Sequence, residues 1–131
     1  MSAVLLWLDD VPPSINTNNV RSHWRGFHTA KKRWQADLER VLLVSALPRP
    51  IPGLLEARVT LRFPVKRRRD SENFRPVLSK ALGDALVNGG WLTDDTDQDW
   101  LLIVRTDPEV GPRRTTIELS WTHDTILLEA A

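Results

Sequence analysis

Apolar and polar positions along the chain fall into six blocks with distinct periods. Ala3 to Leu8 is an uninterrupted apolar run bounded by Asp9-Asp10 and Pro12-Pro13, which predicts a buried strand. Val11 to Asn19, rich in Pro, Ser and Asn, predicts a loop. From Thr29, a candidate N-cap, to Leu47, before Pro48 and Pro50, the spacing predicts a helix. Its apolar face is Trp34, Leu38, Val41, Leu42 and Ser45, with Arg33, Asp37 and Arg40 elsewhere. Leu54 to Phe63 alternates, with Ala57, Val59, Leu61 and Phe63 on one face and charged or polar residues on the other, as in a half-buried strand. A second helix becomes regular at Pro76, carries the stripe Val77, Leu78, Ala81, Leu82, Ala85 and Leu86, and stops at Asn88-Gly89-Gly90. Trp100 to Arg105 reads as a strand. After a turn through Pro108, Gly111 and Pro112, so does Thr115 to Thr122, with Ile117, Leu119 and Trp121 inward. The tail 125–131 is expected to form one helical turn or to fray. The order strand, helix, strand, helix, strand, strand predicts one α/β (α+β) domain over 1–131, a roughly four-stranded mixed sheet with two main helices packed on it.

At 131 residues and 41% hydrophobic the chain suits one domain with a modest core. It has no apolar run near the ~20 residues of a membrane span. The opening MSAVLLWLDD lacks the basic n-region and cleavage site of a signal peptide. The absence of cysteine rules out disulfides and thiolate metal sites. Together these predict a cytoplasmic protein without a membrane partner: bacterial cytoplasm, or that of a host if phage-encoded.

Net charge is +1, but the total hides a segregation. Residues 11–69 hold 13 Lys/Arg against 3 acids, whereas 70–110 hold 3 against 9. No acid occurs between Val11 and Ala36, a stretch with Arg21, Arg25, Lys31, Lys32 and Arg33. A basic half attracts polyanions, and an acidic half repels them unless a metal intervenes. Lys31, Lys32 and Arg33 would fall in the first turn of the first predicted helix, where cations oppose the helix dipole and a bound phosphate would offset the mismatch. Solvated surface charge is the plainer account of any one of them.

The segregation is sharpest from Lys66 to Asp99. The run Lys66, Arg67, Arg68, Arg69 ends on Asp70 and Glu72, a helix with Lys80 follows, and Asp94, Asp95, Asp97 and Asp99 come after it. Two carboxylate groups separated by a helix can meet at one point. Mg²⁺ is held by such oxygens while keeping waters for substrate, the arrangement a phosphodiesterase uses. Lys80 would then place positive charge on the phosphate. The structural alternatives are a solvated turn for the four aspartates and an i,i+4 ion pair for Lys80 with Asp84. An EF-hand fails, because the sixth position from Asp95 is Trp100 and the twelfth is Thr106. Three histidines have no zinc spacing, and no Gly-rich loop for a nucleotide cofactor is present.

RRRDSEN, then Lys80 with Asp84-Ala85-Leu86 four residues on, then GGWLTDD, together with the early PPSIN, resembles the RusA-type Holliday junction resolvases (crossover junction endodeoxyribonucleases) over about Val11 to Trp121. The resemblance implies Mg²⁺ (with Mn²⁺ as substitute) on Asp70, Glu72 and Asp95, joined by Asp94. It implies Lys80 as the lysine needed for cleavage, and a homodimer making two symmetric nicks. The basic segments Arg21–Arg33 and Lys66–Arg69 would then contact phosphates of branched DNA. Glu72 stands where the best-known pattern has Asp. The interval from Asn73 to Lys80 is longer and contains Pro76, as in a phage or actinobacterial branch. Trp24, Phe27 and Phe74 are expected in the core rather than stacked on bases. The expected function is therefore Mg²⁺-dependent resolution of four-way junctions in recombination, repair or phage DNA processing. The rivals are a non-catalytic branched-DNA-binding protein and a nuclease for flaps or other branched DNA.

Overall fold

The computed structural model describes residues 2–14, 24–93 and 100–122. Strands β1 (Ser2–Leu8), β2 (Leu55–Arg62), β3 (Trp100–Thr106) and β4 (Arg114–Trp121) form one sheet in the order β1-β4-β2-β3. Helices α1 (Trp24–Leu43) and α2 (Arg75–Asn88) touch each other, and a single 3₁₀ turn (Ser71–Asn73) precedes α2. β1 and β2 both run antiparallel to β4, whereas β2 and β3 are parallel, because the chain must cross over through α2 between them. This is the single α+β domain with a four-stranded mixed sheet that the residue pattern predicts.

Alternation decides which face of the sheet is covered. Leu6 and Leu8, Leu55 to Leu61 at odd positions, Trp100, Leu102 and Val104, and Thr115 to Trp121 at odd positions are buried. Their neighbours face outward: Leu5, Trp7, Leu101 and Ile103 are exposed there beside Arg58, Arg105 and Glu118. The covered face packs against Trp34, Leu38 and Leu42 of α1 and Leu78, Leu82 and Leu86 of α2 in one core. Thr115, the fully buried polar residue at the start of β4, donates its hydroxyl to the Asp10 carbonyl at 2.7 Å, which ties the end of β1 to β4.

Two boundaries differ from those the sequence predicts. α1 begins at Trp24, five residues before Thr29, because buried Phe27 continues the stripe two turns before Trp34 and its burial outweighs the poor propensity of Gly26. It ends at Leu43 rather than Leu47: the Ser45 hydroxyl donates to the Leu42 carbonyl at 2.7 Å and accepts from the Leu47 amide at 3.3 Å, which diverts the backbone from the helix. The second helix stops as predicted. Gly90 takes a left-handed φ of +80°, which turns the chain so that the Trp91 and Leu92 amides reach back to the Leu86 carbonyl at 2.9 and 3.2 Å. Trp91 then packs against the segment that follows α1, its Nε1 donating to the Leu47 carbonyl at 3.3 Å.

Candidate functional site

The chain leaves β2 at Arg62 and reaches Asp70 through a segment whose ends are held by aromatic packing. The rings of Phe63 and Phe74, both buried, lie 5.5 Å apart. Asp70 caps the 3₁₀ turn, its Oδ1 accepting from the Glu72 amide at 3.0 Å, and its side chain is otherwise exposed. Glu72 turns its carboxylate onto Arg75, whose Nε lies 3.2 and 3.1 Å from the two oxygens. The same guanidinium reaches across to β3, with Nη1 donating to the Leu102 carbonyl at 2.9 Å. Glu72 is thereby fixed against β3 by a residue that the sequence reading did not single out. Its signal was the i,i+3 spacing from Glu72 combined with the position just before Pro76.

Asp94 and Asp95, with Asp97 and Asp99, lie outside the described residues. They immediately precede Trp100, the first residue of β3, which is two residues from Leu102, or about 7 Å along a strand. Asp95 is five residues before Trp100, a reach of at most ~18 Å of extended chain. Asp94 and Asp95 are thus followed in sequence by the strand against which Glu72 is held. Among the described residues no group of three or more His, Cys, Asp or Glu is gathered for a metal. The described part of the expected ligand set is Asp70 and Glu72. Their chemistry fits a hard cation: both are exposed carboxylates two residues apart, and Mg²⁺ is commonly held through one or two carboxylates plus substrate phosphate. Glu72 would have to share its oxygens with Arg75. Lys80, on the exposed side of α2, is 3.4 Å from Asp84 in the expected i,i+4 ion pair.

Lys66, Arg67, Arg68 and Arg69 line one wall of a groove of about 550 Å³, and the β3–β4 turn, Thr106 to Val110, lines the other. The turn is drawn over the end of β2 by Asp107 N–H to Leu61 O at 2.8 Å and Gly111 N–H to Phe63 O at 3.0 Å. It brings further cations to the same end. Arg62 stands directly opposite Arg114 across the β2–β4 pair and donates to the Pro112 carbonyl at 2.8 Å. Like charges in that position repel each other. Arg69 lies with its guanidinium 3.9 Å from the Phe63 ring. Its pKa is lowered, first by partial burial and then by the charges of Arg67 and Arg113, although a guanidinium stays charged at neutral pH. Among the described residues, none of Arg62, Lys66–Arg69, Arg113 and Arg114 has a carboxylate within ion-pair distance. Asp107 and Glu109 stand on the opposite wall, with Asp107 Oδ1 engaged by the Glu109 amide at 2.9 Å.

The first basic segment is arranged differently from its sequence reading. Arg21 lies outside the described residues, and Arg25 is in the first turn of α1. Lys31, Lys32 and Arg33 fall in the third turn, beyond the reach of the dipole at the helix start, so the helix-terminus argument for phosphate at these three lapses. Lys32 and Arg33 are exposed and Lys31 is half-buried. Phe27 and Phe74 are buried as expected. The described site is thus a carboxylate pair of which Glu72 is joined to β3 by Arg75, with a cationic groove at the end of β2. No protein-family model matches the chain, and a search of curated proteins finds no significant match.

Proposed function

We propose that this chain is a Mg²⁺-dependent, structure-specific endodeoxyribonuclease that acts as a homodimer on four-way DNA junctions. The observation that supports the reading most is the bridge from Glu72 through Arg75 to the Leu102 carbonyl, which holds the first acidic group beside the strand that residues 94–99 lead into. The RusA-like motif, split between these two stretches, then has a physical reason for its spacing. Asp70, Glu72, Asp95 and Asp94 would hold the cation, which when bound supplies charge neutralisation on the phosphate and a bound water more acidic than bulk water. Lys80, turned from Asp84 toward substrate, would add fixed positive charge at the scissile phosphate. Lys66 to Arg69, with Arg113 and Arg114, would follow the DNA backbone and give salt-sensitive affinity without base readout.

Purified protein with Mg²⁺ or Mn²⁺ is expected to nick a synthetic four-way junction in symmetric pairs, and Asp70→Asn or Asp95→Asn to abolish cleavage with binding retained. Cleavage that survives both substitutions ends the site assignment, and preferential cutting of flaps over junctions at fixed salt ends the substrate assignment. One observation favours a second reading, a non-catalytic branched-DNA-binding protein: both Glu72 oxygens are on Arg75, and Lys80 is on Asp84. That reading predicts junction binding with no nicking under either metal.

A further inference from the structure

Among the described residues β1 is one edge of the sheet and is hydrogen-bonded to β4 alone. Its sequence, Ser-Ala-Val-Leu-Leu-Trp-Leu, contains no charge, Pro or Gly, and its register with β4 runs without a bulge from Ser2↔Trp121 to Leu8↔Thr115. Charges, prolines and bulges are the devices that stop edge strands from pairing with other chains, and β1 has none of them. The opposite edge is guarded: Arg75 occupies the Leu102 carbonyl of β3, and Arg105 stands near its end. Beside β1 the surface is apolar. Leu5 and Trp7 are 57% and 56% exposed, and Leu43 and Val44 at the end of α1 are 60% and 83% exposed. A groove of about 340 Å³ lined by Val4, Leu5, Trp7, Val41, Val44 and Ala46 runs along this edge.

The strand also fits a copy of itself. Its midpoint is Leu5, so a two-fold axis there places Leu5 opposite Leu5, Trp7 opposite the partner's Ala3, Val4 opposite the partner's Leu6, and Ser2 opposite the partner's Leu8. Each indole meets a methyl group rather than a second indole, and no charge meets a charge. We infer that two copies of this chain join edge to edge through antiparallel pairing of their β1 strands, extending two four-stranded sheets into one of eight strands. This specifies the dimer in the nuclease reading but rests on the edge strand alone. A dimer through another surface would end this inference and leave that reading standing, and a β1 dimer without nuclease activity would do the reverse.

The chain has no cysteine, so a single introduced thiol reports the register. Directly opposed residues in an antiparallel pair have Cα atoms about 4.5–5.5 Å apart, within the ~4.4–6.8 Å that a disulfide spans. Full-length Leu5→Cys is expected to convert mostly to a covalent dimer under mild oxidation, whereas Leu101→Cys, similarly exposed on β3, stays a monomer. In sedimentation equilibrium at micromolar concentration the wild type is expected at twice its 15.0 kDa chain mass, and Leu5→Lys at that mass with its circular dichroism unchanged. Should Leu5→Lys not fold, the thiol comparison still decides. A monomeric wild type overturns the inference, as does cross-linking of Leu101→Cys equal to that of Leu5→Cys. Removal of residues 123–131 that turns a monomer into a dimer would also overturn it, by assigning the edge to the chain's own C-terminal segment.

Discussion

Arg75→Ala separates the carbonyl anchor from the surface ion pair, and the two carry different free energies. The ion pair with Glu72 is exposed, with side chains 38% and 62% accessible, so it is worth about 0.2–1 kcal/mol. The bond from Nη1 to Leu102 O is part-buried and charge-assisted, a class worth about 1.5–3 kcal/mol, which we take at the low end because the guanidinium is partly solvated. Arg75→Ala should therefore cost about 1.5–2.5 kcal/mol, and Glu72→Gln, which leaves the carbonyl bond in place, no more than ~0.5 kcal/mol. For a domain of this size that is roughly 5–10 °C in Tm against ~2 °C. Urea titrations followed by tryptophan fluorescence measure both. If Glu72→Gln costs as much as Arg75→Ala, or if Arg75→Ala lies within ~0.5 kcal/mol of wild type, the carbonyl bond is not the anchor and the joining of Glu72 to β3 is refuted. Under the nuclease reading Arg75→Ala should also slow junction cleavage about 10–100-fold with little change in binding, as expected for a residue that positions a metal-binding carboxylate.

Gly89 lies under the Trp91 ring, and a Cβ there would collide with ring carbons, so Gly89→Ala should cost about 1–3 kcal/mol and move the tryptophan emission toward that of solvent. Replacing Lys66, Arg67 and Arg68 together by Ala should weaken binding to any DNA and reduce the slope of log K against log salt by about 2–3, and an unchanged slope would remove these residues from the DNA track. Trp34→Phe and Trp91→Phe should differ in chemical denaturation. Both lose the same ring volume from a buried site, but Trp34 Nε1 is buried with no partner among the described residues and Trp91→Phe breaks a buried hydrogen bond, so Trp91→Phe should cost about 1–2 kcal/mol more than Trp34→Phe.

The periodicity of the chain was sufficient to place all four strands and both helices, because each element buries one face and the sequence records which face. Leu55–Leu61 alternate, and the Val77–Leu86 stripe returns every three or four residues. The helix stop at Gly89-Gly90 was equally legible, since a left-handed φ favours glycine wherever it occurs. The start of α1 was less so: Thr29 offers a local N-cap and Gly26 a local break, whereas the helix runs on past both to bury Phe27. The carboxylates Asp70 and Glu72 and the cations Lys66–Arg69 could likewise be named from residue type and spacing alone. What only the tertiary structure decided is which groups meet: Arg75 with the Leu102 carbonyl 27 residues away, Arg62 opposite Arg114, the β3–β4 turn against the basic segment, and β1 at the edge of the described sheet. The parallel crossover from β2 to β3 through α2 brings Arg75 to Leu102, the insertion of β4 between β1 and β2 sets Arg62 opposite Arg114, and strand order is set by the packing of the whole sheet rather than by the local sequence of any one strand.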